Sequence, residues 1–286
     1  MKKRWAKRHV AEAFFKVLML ASFALVAGSL AIILWTILSK GLPAINWAML
    51  TQVPKGGYYL GKEGGILNAI LGSLIMAGSG TLLALFIGLP IALYMETYLR
   101  KSRWARYVRL ALDILWGIPS IVYGAFCFIL MLTIGMRASL LGGIIALTLL
   151  ELPILTRAMD EVIRMLPRDL EQAALALGST RLEVALHVVT RQMLPGIVTA
   201  ILLAFGRGIG DAASVLFTAG YTDRLPTSIL SPVASLPLAI YFQLSMPYPE
   251  VQKRAYAAAL ILTVIVLVAS LGSRWIAGRL GKNVIK

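Results

Sequence analysis

An all-α membrane protein with six transmembrane helices is the fold class this sequence predicts, and three observations predict it. Of the 286 residues, 59% are hydrophobic and 14% charged, whereas a soluble domain carries roughly 25% charged residues. Six apolar runs reach the roughly 20 helical residues needed to cross a hydrocarbon core. Lys and Arg gather in alternate loops, as in chains threaded through a bilayer. The net charge of +15 is therefore read as cytoplasmic flanks of spans, not as a nucleic-acid surface.

The chain divides into a basic arm over residues 1–13, a membrane body over 14–278 and a tail over 279–286. In the arm, Lys2, Lys3, Arg4, Lys7 and Arg8 precede an apolar run over 14–38. That run exceeds the roughly 7–15 residues of a signal-peptide core, so it is read as a retained first span. Further spans are expected over 66–95, 107–134, 140–159, 193–219 and 254–276, with Pro90, Pro119 and Pro153 marking kinks. Segment 225–247 is also apolar, but Pro226, Pro232, Pro237 and Pro247 interrupt it. It is read as a re-entrant or interfacial element on the outer side, where irregular backbone is tolerated if protein covers it. Lone Cys127 has no partner for a disulfide within the chain and is read as a packing residue.

Charge orients the six spans. Twenty Lys and Arg fall in the arm, after spans two and four and in the tail, against seven in the opposite loops. Under the positive-inside rule both termini are cytoplasmic.

The basic loop after span four begins Pro167-Arg168-Asp169-Leu170-Glu171-Gln172-Ala173-Ala174. Asp169 and Glu171 complement the positive end of a helix dipole. The alanines favour helix, and Gly178 suits a left-handed stop. Thr180 with Glu183 spells a capping box that starts a second helix. Two short helices bent at Gly178 are expected. A DNA-reading helix-turn-helix has little room to reach a groove when tethered between spans.

Gln172-Ala173-Ala174, three residues and then Gly178 resembles the E-A-A-x-x-x-G loop of importer-type ABC permeases. The glutamate position holds Gln172, with Glu171 beside it, and the family's I-x-L-P reads Val188-Val189-Thr190-Arg191. Further stretches resemble the A-type permease subunits of bacterial high-affinity phosphate importers. They are Gly65-Ile66-Leu67-Asn68-Ala69-Ile70, Ile118-Pro119-Ser120-Ile121-Val122-Tyr123-Gly124, Arg207-Gly208-Ile209-Gly210-Asp211 and Leu236-Pro237-Leu238-Ala239-Ile240-Tyr241. Where that family usually has Glu, this chain has Asp211.

The resemblance implies a type I ABC importer permease fold in a bacterial inner membrane. It also implies a coupling helix at which Glu171, Gln172, Ala173, Ala174 and Gly178 dock an ATPase subunit. Phosphate is the implied substrate. The implied partners are a second, homologous permease, two ATP-binding subunits that hold ATP and magnesium, and an extracytoplasmic phosphate-binding protein. No cofactor is expected in this chain itself.

Independently of family, span five carries Arg207 with Asp211 four residues on, among Gly206, Gly208 and Gly210. Counted at about 1.5 Å per residue from Met193, Arg207 lies roughly 21 Å from the cytoplasmic end. A central Arg costs roughly 2.5–3.5 kcal/mol to insert and so normally faces protein or water. Two readings stand: a structural ion pair, or a guanidinium oriented by Asp211 with donors left for an anion. The glycines fit close helix packing, local unwinding or amides exposed near an anion. Asp113, Glu151 and Arg157 are candidate gate or interface groups, with snorkelling as the alternative for residues near a boundary.

Gly56 to Glu63 nearly spells a P-loop, but lacks the Ser or Thr after Lys62 and lies on the outer side. With only His9, His187 and one cysteine, the chain offers no His/Cys metal cluster, and it has no H-E-x-x-H or G-x-S-x-G. An intramembrane hydrolase or a self-sufficient anion channel are the other classes of function considered.

Overall fold

The computed structural model describes residues 2–55 and 63–280. The near-P-loop over 56–62 and the last basic residues of the tail, Lys282 and Lys286, lie outside them. The described residues are overwhelmingly helical. After α1 (Lys2–Gly41) and α2 (Trp47–Thr51), a two-stranded antiparallel ribbon pairs β1 (Pro54–Lys55) with β2 (Glu63–Gly64). Then come α3 (Leu67–Thr97), α4 (Arg103–Gly117), α5 (Ser120–Thr133), α6 (Leu140–Arg164) and α7 (Arg168–Ala176). Helix α8 (Arg181–Glu183) runs through a π-helical turn, Val184–Val189, into α9 (Thr190–Ile209), and α10 (Leu236–Leu244) and α11 (Pro249–Leu280) complete the chain.

Among the described residues five helices are long and apolar enough to cross a membrane: Ala11–Ala44, Leu67–Thr97, Leu140–Arg164, Arg181–Ile209 and Pro249–Leu280. The pair α4 and α5 makes a sixth if taken as one span, but it is bent by 96°. The kink expected at Pro119 in a third span over 107–134 is a break between two helices. Pro119 lacks an amide hydrogen and disfavours helix at Ile118 before it, so it separates the two helices instead of kinking one. Helices α3 and α6 continue through Pro90 and Pro153.

Helices α3 and α6 form the central pair, with α9 packed against both and α11 against α9 and α10. The pairing is legible in α3, where Ser73, Ala77, Thr81, Ala84, Gly88 and Ala92 are all buried at close to four-residue spacing. In lipid there is no hydrophobic drive between helices, so small residues that let backbones approach hold such a contact together. Helix α1 leans on α11, and the apolar window of α1 is 0% buried.

Two further boundaries move. The fifth span, expected over 193–219, begins earlier at Arg181 and stops at Ile209. From Gly210 to Ser235 the chain is irregular and folds back against the start of α6: Ser139 and Leu140 amides donate to Thr218 and Ser231 carbonyls at 2.8 Å. The irregular element expected over 225–247 thus starts at Gly210. It ends in α10, whose first amide, Leu236 N, donates to the buried Ser73 hydroxyl of α3 at 2.7 Å.

Candidate functional site

Three helices meet at mid-depth around Glu151. It lies eleven residues into α6, about 17 Å from that helix's N-terminal end. This puts it in mid-helix, away from the span boundary at which snorkelling was the alternative. The side chain is 0% exposed. Thr81 of α3 donates its hydroxyl to Oε2 at 2.6 Å, while Oε1 has no hydrogen-bond partner. A β-carbon built on Gly208 of α9 would overlap Oε1 and lie 2.7 Å from Cδ. Gly208 is therefore a packing glycine: only a bare Cα admits the carboxyl. Gly206 by contrast faces open space, and Gly210 caps the helix end.

Through this contact Arg207 is held level with the middle of α6. Its Nη1 donates to Asp211 Oδ1 at 2.9 Å. Asp211 lies beyond the end of α9, not one turn along it, and its Oδ2 accepts the Ser214 amide at 2.8 Å. The carboxylate thus closes the turn that follows the helix and fixes the guanidinium as well. Asp211 is 4% exposed and Arg207 47%. An anchored cation with free donors facing outward is an arrangement that can receive an oxyanion in planar, two-pronged fashion.

The loop after α6 also has the expected local chemistry. Gly178 adopts φ +90°, open to glycine at little cost, and its amide donates to Leu175 O at 3.0 Å. Thr180 and Glu183 form a complete capping box. The second helix is not short, however, because α8 opens the long run to Ile209. Along α7, Gln172 and Ala173 are exposed, whereas Ala174 is half-buried against the core beneath. Leu177 is 88% exposed, an apolar side chain on the loop's outer face that sequence reasoning missed.

Glu171 is tied to the body: Arg100 reaches it at 3.3 Å and reaches Glu96 of α3, also at 3.3 Å. From there an ion-pair network joins the C-terminal part of α3, α4 and the C-terminal part of α6. Arg109 of α4 joins Glu96 to Asp160 of α6, the latter at 2.8 Å. Arg157 joins Asp160 at 3.1 Å and Asp113 at 2.7 Å. Asp113 and Arg157 are thus partners in a built network, not separate snorkelling residues. Glu96 and Asp160, respectively 5% and 0% exposed, were missed. Their signal was available, since two acids amid the densest run of arginines need an explanation. Among the described residues no group of three His, Cys, Asp or Glu is placed to hold a metal ion.

Residues 88–286 match the family model described as binding-protein-dependent transport system inner membrane component. The phosphate transport system permease protein PstA of Xylella fastidiosa is 40% identical over 244 residues, covering 84% of this chain and 83% of that one. The protein of the same name in Haemophilus influenzae is 35% identical, covering 85% of each chain. PstA 1 of Mycobacterium tuberculosis is 33% identical over 277 residues, covering 96% of this chain and 88% of that one. In structure, the chain superposes on an inward-facing MetNI methionine ABC transporter chain with a TM-score of 0.62 at 19% identity, covering 75% of this chain and 95% of that one. That likeness shows a shared type I importer permease fold.

Proposed function

Because this chain belongs to the family of binding-protein-dependent transport system inner membrane components, we propose that it is the permease through which an ATP-driven importer passes inorganic phosphate to the cytoplasm. It is a non-catalytic membrane subunit of an ABC transporter. The observation that carries the phosphate reading is Arg207, a half-exposed guanidinium at mid-depth that Asp211 holds by one nitrogen. A central Arg is tolerated only where protein or water meets it. The surface it occupies is therefore a water path, a second permease, or the seam between them. A passing phosphate would meet the remaining donors, with Asp211 keeping the fork in place and offsetting part of its charge so that the anion leaves again.

In this reading the other half of the pathway comes from a second, homologous permease. An extracytoplasmic binding protein delivers phosphate, and two ATP-binding subunits hold ATP and magnesium. One of these docks on α7 around Gln172, Ala173 and Gly178, with Leu177 adding an apolar contact. Ala174 and Glu171 act from beneath, Glu171 tying the docking helix to Arg100 and so to α3. The body over 14–278 lies in a bacterial inner membrane with the arm and the tail both cytoplasmic, the side on which Lys and Arg predominate.

The test is ATP-dependent uptake of radiolabelled phosphate by the complete complex in proteoliposomes. Arg207→Gln keeps length and hydrogen bonding but loses charge, and is expected to cut uptake per assembled complex by about tenfold or more, a loss of roughly 1.4 kcal/mol of anion stabilisation. Wild-type uptake by that variant would eliminate the anion contact. Uptake of another oxyanion in place of phosphate would overturn the substrate assignment.

A further inference from the structure

The bend between α4 and α5 leaves α4 in an unusual position. Arg109 and Asp113 on α4 pair with Asp160 and Arg157 on α6. Asp160 is twenty residues past Leu140, about 30 Å down the helix, which is the full thickness of a hydrocarbon core. Helix α4 therefore lies at the inner interface. At 96° to α5, it runs along the membrane instead of through it.

Its sequence suits that position. Ala105 and Leu112 are buried against the body. Arg106, Arg109 and Asp113 follow on the next sector. Trp104, Tyr107, Leu110 and Ile114 line a third sector and are 70%, 60%, 54% and 59% exposed. Amphipathic helices with arginines beside aromatic and aliphatic side chains settle at the headgroup boundary.

At the start of α4 is an open cavity of about 450 Å³ whose lining includes Arg100, Lys101, Arg106, Arg109 and Arg164, with Asp113 the single acid. Arg100, Arg109 and Arg164 already face Glu96. Among the described residues Lys101 and Arg106 make no ion pair, so two cations in the cavity are uncompensated. Leu110, which also lines it, joins the cationic wall to the exposed apolar sector. A ligand that matches both has a phosphate group and an apolar tail.

We propose that this cavity binds the headgroup of an anionic phospholipid of the cytoplasmic leaflet, with the acyl chains lying along Trp104, Tyr107 and Leu110. The phosphodiester sits between Lys101 and Arg106, and α4 is an anchor that reads the charge of the surrounding leaflet. The leaflet named rests on the orientation proposed above, but binding itself does not.

The test uses the assembled transporter, purified in detergent and exchanged with phosphatidylglycerol or phosphatidylcholine before lipid retention is measured by native mass spectrometry. Wild type is expected to retain phosphatidylglycerol and not phosphatidylcholine. Each surface cation contributes about fivefold to anionic-lipid association, so Lys101→Gln with Arg106→Gln should weaken retention about twentyfold. Both side chains are exposed and unpaired, so the variant should fold. Arg274→Gln, an exposed cation on α11 outside the cavity lining, should retain lipid as wild type does. Equal retention by the double variant would overturn the site. So would displacement of the lipid by inorganic phosphate, which would make it a free-anion site. Retention only when the ATPase subunits are stripped would assign the surface to protein docking and overturn it likewise. A reporter fused at Arg103 that reads outside, with retention intact, would refute the orientation and leave the site standing.

Discussion

Replacing Gly208 by Ala should disrupt the centre of the molecule by a calculable amount. The added methyl would sit 2.7 Å from Glu151 Cδ and overlap Oε1, whereas carbon atoms rest at about 3.5–4.0 Å. The carboxyl must retreat by roughly 1 Å, which breaks or stretches the 2.6 Å bond from Thr81. Overpacking costs about 1–3 kcal/mol and a weakened bond to a buried acceptor about 1–3 kcal/mol. The better helix propensity of alanine returns up to about 1 kcal/mol. The net expectation is destabilisation by about 1–5 kcal/mol, centred near 3 kcal/mol. In a Glu151→Ala background the methyl meets no carboxyl, so the same substitution should cost less than about 0.5 kcal/mol. Reversible unfolding in mixed detergent–SDS micelles of wild type, both single variants and the double variant closes the cycle. A coupling of at least about 1.5 kcal/mol is expected. Costs that simply add, within about 0.5 kcal/mol, would refute the proposed contact between Glu151 and Gly208.

Gly178→Asp puts a β-carbon where φ is +90°, costing about 1–2 kcal/mol locally. It should reduce co-purification of the ATPase subunits and transport far more than membrane insertion, and normal assembly with normal transport would count against docking there. Asp160→Asn takes the shared buried carboxylate away from Arg109 and Arg157, which keep Glu96 and Asp113 as partners. It should destabilise the chain by about 1–3 kcal/mol, measured by the same unfolding assay. Reporters fused at Val53, Arg103, Gln172 and the C-terminus should read outside, inside, inside and inside, and a C-terminus outside would overturn the six-crossing arrangement.

The long uniform helices were legible residue by residue, because a run of apolar side chains in lipid must satisfy its own backbone and can do so only as helix. The loop at Gly178 was legible for a similar reason: a left-handed turn and a capping box depend on residues three or four apart. The shape of the third and fifth spans was not. Hydropathy registers how apolar a segment is, not its direction, so 107–134 scored as one crossing although Pro119 divides it into two helices bent by 96°. Likewise 210–219 is apolar enough to extend a span, yet its backbone groups are satisfied by a turn closed on Asp211 and by bonds to Ser139 and beyond.

The sequence by itself determined the class, the number of apolar segments, the sidedness favoured by Lys and Arg, the resemblance to phosphate permeases, and the pairing of Arg207 with Asp211. Each of these depends on composition or on residues a few positions apart in the chain. Tertiary structure alone decided that α3, α6 and α9 lock at Glu151, mid-way along α6. It also decided that Gly208 is the glycine this contact requires, and that Glu96 and Asp160 gather arginines from three separated segments into one network. Those contacts join positions tens of residues apart, and their cost or benefit exists only once the helices have packed and excluded solvent. No local pattern in the chain records it.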